Sequence, residues 1–189
     1  MLVPKSIYLT RGKGYHKEKL ASFELALRDA GIARQNLVHV SSIFPPHCGL
    51  ISRKAGEVQL VAGQILFCVM ARNETNEPHR LISSSIGLAT PTDHSLHGYL
   101  SEHKGYGENA QSSGDYAEDL AAEMLASTLG IDFDVDQSWD EKKQVFMMSG
   151  KIVKTSNITQ TAVGPKDGRW VTTVAAAVMI MEWHDKEKS

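Results

Sequence analysis

Apolar residues along this chain occur mostly in short runs with the two-residue period or the continuous character of β-strands. The predicted strands are residues 6–10, 35–42, 64–71, 81–90, 97–104, 145–163 and 171–181. The segment 145–163 fits either one long strand or a hairpin. Segments 64–71 and 171–181 are almost entirely apolar, which is typical of strands in a sheet that is covered on both faces.

Two other segments have the spacing of amphipathic helices. The first spans residues 17–30 and is predicted to end at Gly31. Its predicted buried stripe consists of Leu20, Phe23, Leu27 and Ala30. The second is predicted to start at Asp115, with Glu118 three residues later as in a capping box, and to end at Gly130. Strands and helices that do not alternate strictly indicate a layered α+β domain.

The segment Arg11-Gly12-Lys13-Gly14 follows the first predicted strand. Its two glycines predict a flexible surface turn. Two glycines beside two cations could also cradle a phosphate, but the spacing matches neither of the common phosphate-binding motifs. We therefore favour the turn.

The composition is that of an ordinary globular domain, with 42% apolar and 22% charged residues in a chain of 189. The net charge of −2 provides no basic field for nucleic acid or an anionic membrane. The apolar runs are too short to span a bilayer. Cys48 and Cys68 form no CxxC motif, and the first residues lack the layout of a signal peptide, so we expect a reducing cytoplasm.

Metal and hydrolase chemistry find little support in the sequence. His94, His97 and His103 lie in one region without the glutamate of an HExxH motif, so no metal site is predicted. The acidic residues after the second helix lack the glycine and glutamate of a calcium loop and predict a solvated loop. They are Asp132, Asp134, Asp136 and Asp140. There is also no GxSxG elbow for a serine hydrolase.

Three polar residues lie at positions that need interpretation. Glu24 lies at the border of the first helix's apolar stripe, where it is either an inward-facing functional group or half of a surface pair with Arg28 at i+4. Asn36 precedes a strand, where an asparagine usually makes a turn hydrogen bond.

The third residue, Glu102, shares a strand face with Leu96, Gly98 and Leu100. Apolar surroundings raise the pKa of a carboxyl group, as a proton donor near neutral pH requires. The alternatives are an inward charge that discourages edge pairing and a solvated strand end.

Ser41 and Ser42 stand at the end of the strand predicted at 35–42, shortly before Pro45 and Pro46. Pro45 lacks an N–H group and favours an extended conformation at Phe44, so this segment cannot continue as a helix. Such a geometry exposes a peptide bond with a hydroxyl group beside it. The pattern leads to the hypothesis that the chain cleaves itself between the two serines.

The segment 36–46, NLVHVSSIFPP, resembles the cleavage segment of pyruvoyl-dependent arginine decarboxylases. Residues 22–32 resemble the substrate-side helix of that family, and residues 95–102 resemble the strand that carries its catalytic glutamate. The three matches occur in the family's order. The resemblance implies a four-layer αββα sandwich that assembles as trimers with active sites between subunits.

The resemblance also implies a self-processing enzyme that converts L-arginine to agmatine and CO2, for polyamine synthesis or acid resistance. One domain of residues 1–189 would be cleaved into 1–41 (β chain) and 42–189 (α chain). Ser42 would become a covalent pyruvoyl cofactor that forms a Schiff base with the substrate. The family assigns proton donation to Glu102 and the oxyanion contact during processing to Asn36.

The resemblance further implies that Glu24 binds the substrate guanidinium and that Ser41 becomes a new C-terminus at the edge of the substrate site. Two other functions remain open from the sequence. The chain could be a pyruvoyl-dependent decarboxylase of another amino acid, or an unprocessed binding or assembly protein of the same fold.

Overall fold

The computed structural model describes residues 2–130 and 152–183. The elements in chain order are β1 Leu2–His16, α1 Lys19–Asp29, β2 Asn36–His39, β3 Ile43–Phe44, β4 Gly49–Ile51, α2 Arg53–Glu57, β5 Ile65–Thr75, β6 Leu81–Pro91, β7 Gly98–Tyr106, α3 Ala110–Thr128, β8 Ile152–Val163 and β9 Trp170–Trp183. The predicted acidic loop after the second helix and the first part of the strand at 145–163 lie outside the described residues.

The strands form two sheets. One has five strands in the order β2-β5-β9-β1-β4, and the other has four in the order β3-β7-β6-β8. Strand β9 lies at the centre of the five-stranded sheet and pairs antiparallel with both β1 and β5. This agrees with its near-continuous apolar sequence, because both faces of a central strand are covered.

Among the described residues, apolar clusters hold the layers together, and three of them join sheet to sheet or helix to sheet. The first lies between the two sheets and includes Ile7, Val69, Leu88 and Leu100. The second joins α1 to the other face of the five-stranded sheet and includes Ala26. A third cluster packs α3 against the four-stranded sheet. The predicted α+β class is therefore confirmed, and no helix in the described part of the chain is long and apolar enough to cross a membrane.

The predicted turn at residues 11–14 is wrong, and with it the alternative of a phosphate-binding loop. Strand β1 continues without a break to His16. Gly12 and Gly14 lie directly beneath α1, where a Cβ atom on either residue would overlap helix backbone, at Ala26 in both cases. The glycines allow close approach of a helix, which a local pattern cannot distinguish from a turn.

The predicted stripe of the first helix is wrong at Leu20, whose surface is 75% exposed. The buried positions are Ser22, Ala26 and, as predicted, Ala30, and Phe23 and Leu27 are partly buried. Small residues face the sheet because the backbones of α1 and β1 approach so closely. Gly31, with a φ of +77°, follows the helix as predicted.

Helix α3 starts earlier than predicted. Asn109 is its N-cap and accepts a hydrogen bond from the Ser112 N–H group. Gly114 lies inside the helix, where a Cβ atom would collide with Asn157 on β8. Gly130 follows the helix with positive φ, as expected.

Replacing Gly12 with alanine should destabilise the fold by about 1–3 kcal/mol, because the added methyl group would force α1 away from β1. Gly49→Ala is the matched control, since a Cβ atom there has no neighbour closer than 3.9 Å. Urea denaturation of both variants in an uncleaved Ser42→Ala background would measure the difference. Equal midpoints for the two variants would show that α1 adjusts without cost.

Candidate active site

The two serines lie where the chain leaves one sheet and joins the other. Just before them, the Val40 N–H group donates to the Cys68 carbonyl of β5 at 3.1 Å. Just after them, β3 pairs antiparallel with β7, with Ile43 opposite Tyr99. Ser41 is exposed and Ser42 is half-buried. The predicted strand at 35–42 thus ends at His39, and the predicted extended segment at Phe44 is confirmed as β3.

Ser42 is the central residue of a tight turn. The Ile43 N–H group donates to the Ser41 carbonyl oxygen at 2.9 Å, which is the two-residue hydrogen bond of a γ-turn. Ser42 is not among the non-glycine residues with positive φ, so the turn is of the inverse type that commonly occurs at strand ends. A hydrogen-bond donor therefore already contacts the carbonyl oxygen that a Ser42 hydroxyl attack would turn into an oxyanion.

The carbonyl group of Ser42 is also held. The Leu100 N–H group on β7 donates to it at 2.8 Å. Two backbone donors, from Ile43 and Leu100, consequently fix the peptide units on either side of the Ser42 Cα atom. Sequence reasoning missed both, because neither is a side chain and the Leu100 contact depends on pairing between distant strands.

An apolar cleft of about 290 Å³ adjoins Ser41. Its lining residues are Leu2, Pro4, Val40, Ser41, Ile43, Pro45, Phe67, Met179 and Met181. Two apolar side chains that line the cleft are exposed, Leu2 at 41% and Ile43 at 37%. An apolar surface beside a reactive peptide bond limits the access of water to it.

Glu102 lies near the serine pair. It follows Leu100 by two residues on the same face of β7, so it is roughly 7 Å further along the strand from the Ser42 contact. Leu100 packs between the sheets and Tyr99 packs towards α3, which confirms the predicted alternation.

Partial burial raises the pKa of Glu102. The positive charges of His39 and Lys104 act in the opposite direction, but burial has the larger effect. Glu102 is an exposed residue, so its carboxyl group is accessible to a ligand and also has an increased tendency to remain protonated.

Asn36 lies at the opposite end of β2 from the serines. Three residues separate it from His39, roughly 10 Å along a strand, and the serines lie further on. Its side-chain amide donates to the Gly63 carbonyl at 2.9 Å, which is the turn-type contact considered from the sequence. Within one chain the structure therefore does not bring Asn36 to the serine pair.

Glu24 is also remote from the serines in one chain. It lies on α1, which packs on the face of the five-stranded sheet that faces away from the other sheet. Its Oε1 atom accepts a hydrogen bond from Arg28 Nε at 2.6 Å, which is the predicted surface pair. Ser41, Ser42 and Glu102 thus lie in one region of the protomer, whereas Glu24 and Asn36 lie elsewhere.

The histidines of the region do not converge. His103 faces α3, where its Nε2 atom lies 2.7 Å from Glu108 Oε2 and its ring contacts Tyr116. His97 packs against Tyr99 before β7 begins. Across residues 2–130 and 152–183, no group of three histidine, cysteine or acidic side chains is arranged to hold a metal ion.

A serine peptide bond in a strand-end turn, with a raised-pKa carboxyl group nearby, defines a candidate site for self-cleavage and acid catalysis. The family model for pyruvoyl-dependent arginine decarboxylase matches residues 6–184 of this chain. The chain therefore belongs to the pyruvoyl-dependent arginine decarboxylase family, and the resemblance found in the sequence is confirmed.

Individual relatives are similar over nearly their whole length. A protein of Nitrosopumilus maritimus named pyruvoyl-dependent arginine decarboxylase is 58% identical over 180 residues, 95% of this chain and 98% of the relative. A Chloroherpeton thalassium protein named probable pyruvoyl-dependent arginine decarboxylase is 60% identical, covering 94% of this chain and 98% of the relative. Pyruvoyl-dependent arginine decarboxylase 2 of Methanosarcina mazei is 55% identical, covering 95% and 98%.

The Glu102 carboxyl group should titrate above the pKa of an ordinary glutamate, so that its protonated fraction declines only as the pH rises through that higher value. Lys104→Met should raise the pKa further, because it removes a positive charge that favours the carboxylate. Lys166→Met, in the turn between β8 and β9, is the control and should have no effect. Carbon-detected NMR titration of the Ser42→Ala protein would measure this, and an ordinary or lower pKa would contradict the assignment.

Proposed function

We propose that this protein is a self-processing pyruvoyl-dependent arginine decarboxylase, which converts L-arginine to agmatine and CO2. Family membership over residues 6–184 supports the reaction. The observation that supports self-cleavage at this bond is the γ-turn at Ser42. In that turn the Ile43 N–H group already donates a hydrogen bond to the Ser41 carbonyl oxygen.

Self-cleavage begins with attack of Ser42 Oγ on the Ser41 carbonyl carbon. The peptide C–N bond breaks as the new ester forms, and the nitrogen of residue 42 takes up a proton. β-Elimination then removes the Cα proton of residue 42 and breaks its Cβ–O bond, which releases residues 1–41 with a carboxylate on Ser41. The dehydroalanine at position 42 reacts with water to give a pyruvoyl group and ammonia. The products are the β chain, 1–41, and the α chain, 42–189.

The oxyanion of the first step needs hydrogen-bond donors. We assign one to the Ile43 N–H group, because it already contacts the Ser41 oxygen at 2.9 Å. Asn36 remains the proposed side-chain donor. Since its amide is bound to Gly63 at the far end of β2, Asn36 serves this role only through a rearrangement of residues 36–41 or from a neighbouring subunit.

The residues around position 42 fit a pyruvoyl group. The Leu100 N–H group would hold the carbonyl of residue 42, and the apolar cleft beside Ser41 would exclude water. A pyruvoyl group supplies a carbonyl that accepts electrons when CO2 leaves an amino acid. Glu102 then donates a proton to the substrate Cα atom, for which its raised pKa is suited.

We assign binding of the substrate guanidinium to Glu24, because two carboxylate oxygens match the paired N–H groups of a guanidinium. Glu24 and the serine pair lie on opposite sides of the five-stranded sheet in one protomer, so a complete site needs a second copy. Leu20, 75% exposed and one helical turn before Glu24, provides an apolar surface for such a contact. The exposed apolar rim of the cleft beside Ser41 provides another.

These features support the trimer of the family, with active sites between subunits and Ser41 at their edge. The packing of α1 and α3 on the outer faces of two stacked sheets supports the family's four-layer αββα sandwich. A cytoplasmic location is proposed from the two unpaired cysteines, Cys48 and Cys68.

The wild-type protein should have the masses of two chains that separate at the Ser41–Ser42 bond, with the mass of a pyruvoyl group on the longer one. Ser42→Ala should remain intact and inactive, because it lacks the attacking hydroxyl group. Asn36→Ala should cleave more slowly, by about 10²-fold or more if its amide is an oxyanion donor. Intact-mass spectrometry over time measures all three. An uncleaved wild-type protein would refute self-processing. Normal cleavage of Asn36→Ala would show that Asn36 is not an oxyanion donor and that its role is the structural hydrogen bond to Gly63.

Two processed but defective variants should restore activity when they are co-expressed, because the site needs residues from two subunits. Glu24→Gln lacks the guanidinium contact, and Glu102→Gln lacks the proton donor. In randomly mixed oligomers about a quarter of the sites would combine both intact parts. Agmatine production would measure this. Co-expressed Ser42→Ala and Glu102→Gln are the control and should stay inactive, since those residues share one subunit. Absence of recovery in the first pair would contradict an intersubunit site.

A further inference from the structure

The Glu24 carboxylate is already engaged by a guanidinium group of its own helix. Arg28 Nε lies 2.6 Å from Glu24 Oε1, one helical turn away. The side chains of Arg28 and Glu24 are 66% and 43% exposed, so the pair lies at a surface that a ligand can reach. If Glu24 is also the residue that binds arginine, this ion pair affects how the substrate binds.

Arg28 carries the same chemical group as the proposed substrate. A guanidinium offers parallel N–H donors to the two oxygens of a carboxylate, and both oxygens are needed for bidentate binding. While Arg28 holds Oε1, a substrate guanidinium must either share that oxygen with Arg28 or displace it. We propose that Arg28 competes with arginine for Glu24 and so sets the enzyme's affinity for its substrate. This inference rests on the proposed role of Glu24.

The surroundings of Arg28 favour its contact with Glu24. On its other side Arg28 lines a cleft of about 420 Å³ that also contains Arg34 and Arg53. The carboxylate in that cleft, Glu57, accepts a hydrogen bond from Arg53 Nε at 2.6 Å. The guanidinium groups of Arg34 and Arg53 would repel the Arg28 guanidinium if it turned into this cleft. Electrostatics therefore favours the contact of Arg28 with Glu24.

The size of the effect follows from the exposure of the pair. An exposed ion pair one helical turn apart contributes enough to change an affinity about twofold. Because the guanidinium end of the substrate is remote from the carbon atom that loses CO2, the competition acts equally on the bound substrate and on the transition state. It should therefore change KM and leave kcat unaltered.

The test uses the processed enzyme with Arg28→Gln, which keeps a helix-forming residue and removes the charge. The KM for arginine should fall about twofold at unchanged kcat, and the inhibition constant of agmatine should fall by the same factor. Arg80→Gln is the matched control, because Arg80 forms an exposed pair with Glu77 at 2.6 Å on another part of the surface. It should leave both constants unchanged.

Glu24→Gln separates failure of this inference from failure of the proposed function. If Glu24→Gln leaves KM unchanged, Glu24 does not bind the guanidinium, and the role of Arg28 falls with it. If Glu24→Gln raises KM while Arg28→Gln leaves it unchanged or raises it, Glu24 is the binding residue and only the competition is overturned. In the Glu24→Gln background, Arg28→Gln should cause no further change in KM, because the carboxylate for which Arg28 and the substrate compete is absent.

Discussion

The site depends on a crossing of the chain between two sheets within three residues. On one side, the Val40 N–H group is bound by β5 of the five-stranded sheet, and on the other side the Ser42 carbonyl is bound by β7 of the four-stranded sheet. Backbone hydrogen bonds to rigid strands leave the peptide between the serines little freedom. The γ-turn at Ser42 is a consequence, because the chain must change direction between its two anchors.

Such a crossing holds its geometry only if the two sheets hold theirs. Close packing and buried hydroxyl pairs supply that rigidity. Ser84 Oγ and Thr173 Oγ1 are 2.8 Å apart and link a strand of one sheet to a strand of the other. Asn73 on β5 donates to the Gly105 carbonyl on β7 at 2.9 Å. Buried polar contacts of this kind have defined directions, so they specify the alignment of two layers that apolar contacts alone would leave free to slide.

The parts of this structure that local signals determine were predictable, and the parts that distant contacts determine were not. Gly31, the extended segment before Pro45 and the alternation around Glu102 all follow from neighbours in sequence. The glycines at 12 and 14 have the same local signature as a turn, and only the helix above them explains their presence in a strand. Leu20 was placed in the core because periodicity finds an apolar face without showing which part of it the protein covers.

The candidate site divides in the same way. The serines and Glu102 could be found because each stands in a segment with a strong local pattern and β3 joins them through one strand pairing. Glu24 had two interpretations in the sequence, a surface pair with Arg28 or a functional carboxylate, and they are not exclusive. A carboxylate that must accept a guanidinium from solution has to be exposed and negatively charged, and an exposed negative charge on a helix attracts a cation one turn away. The pair with Arg28 is therefore compatible with the role in guanidinium binding that we propose for Glu24.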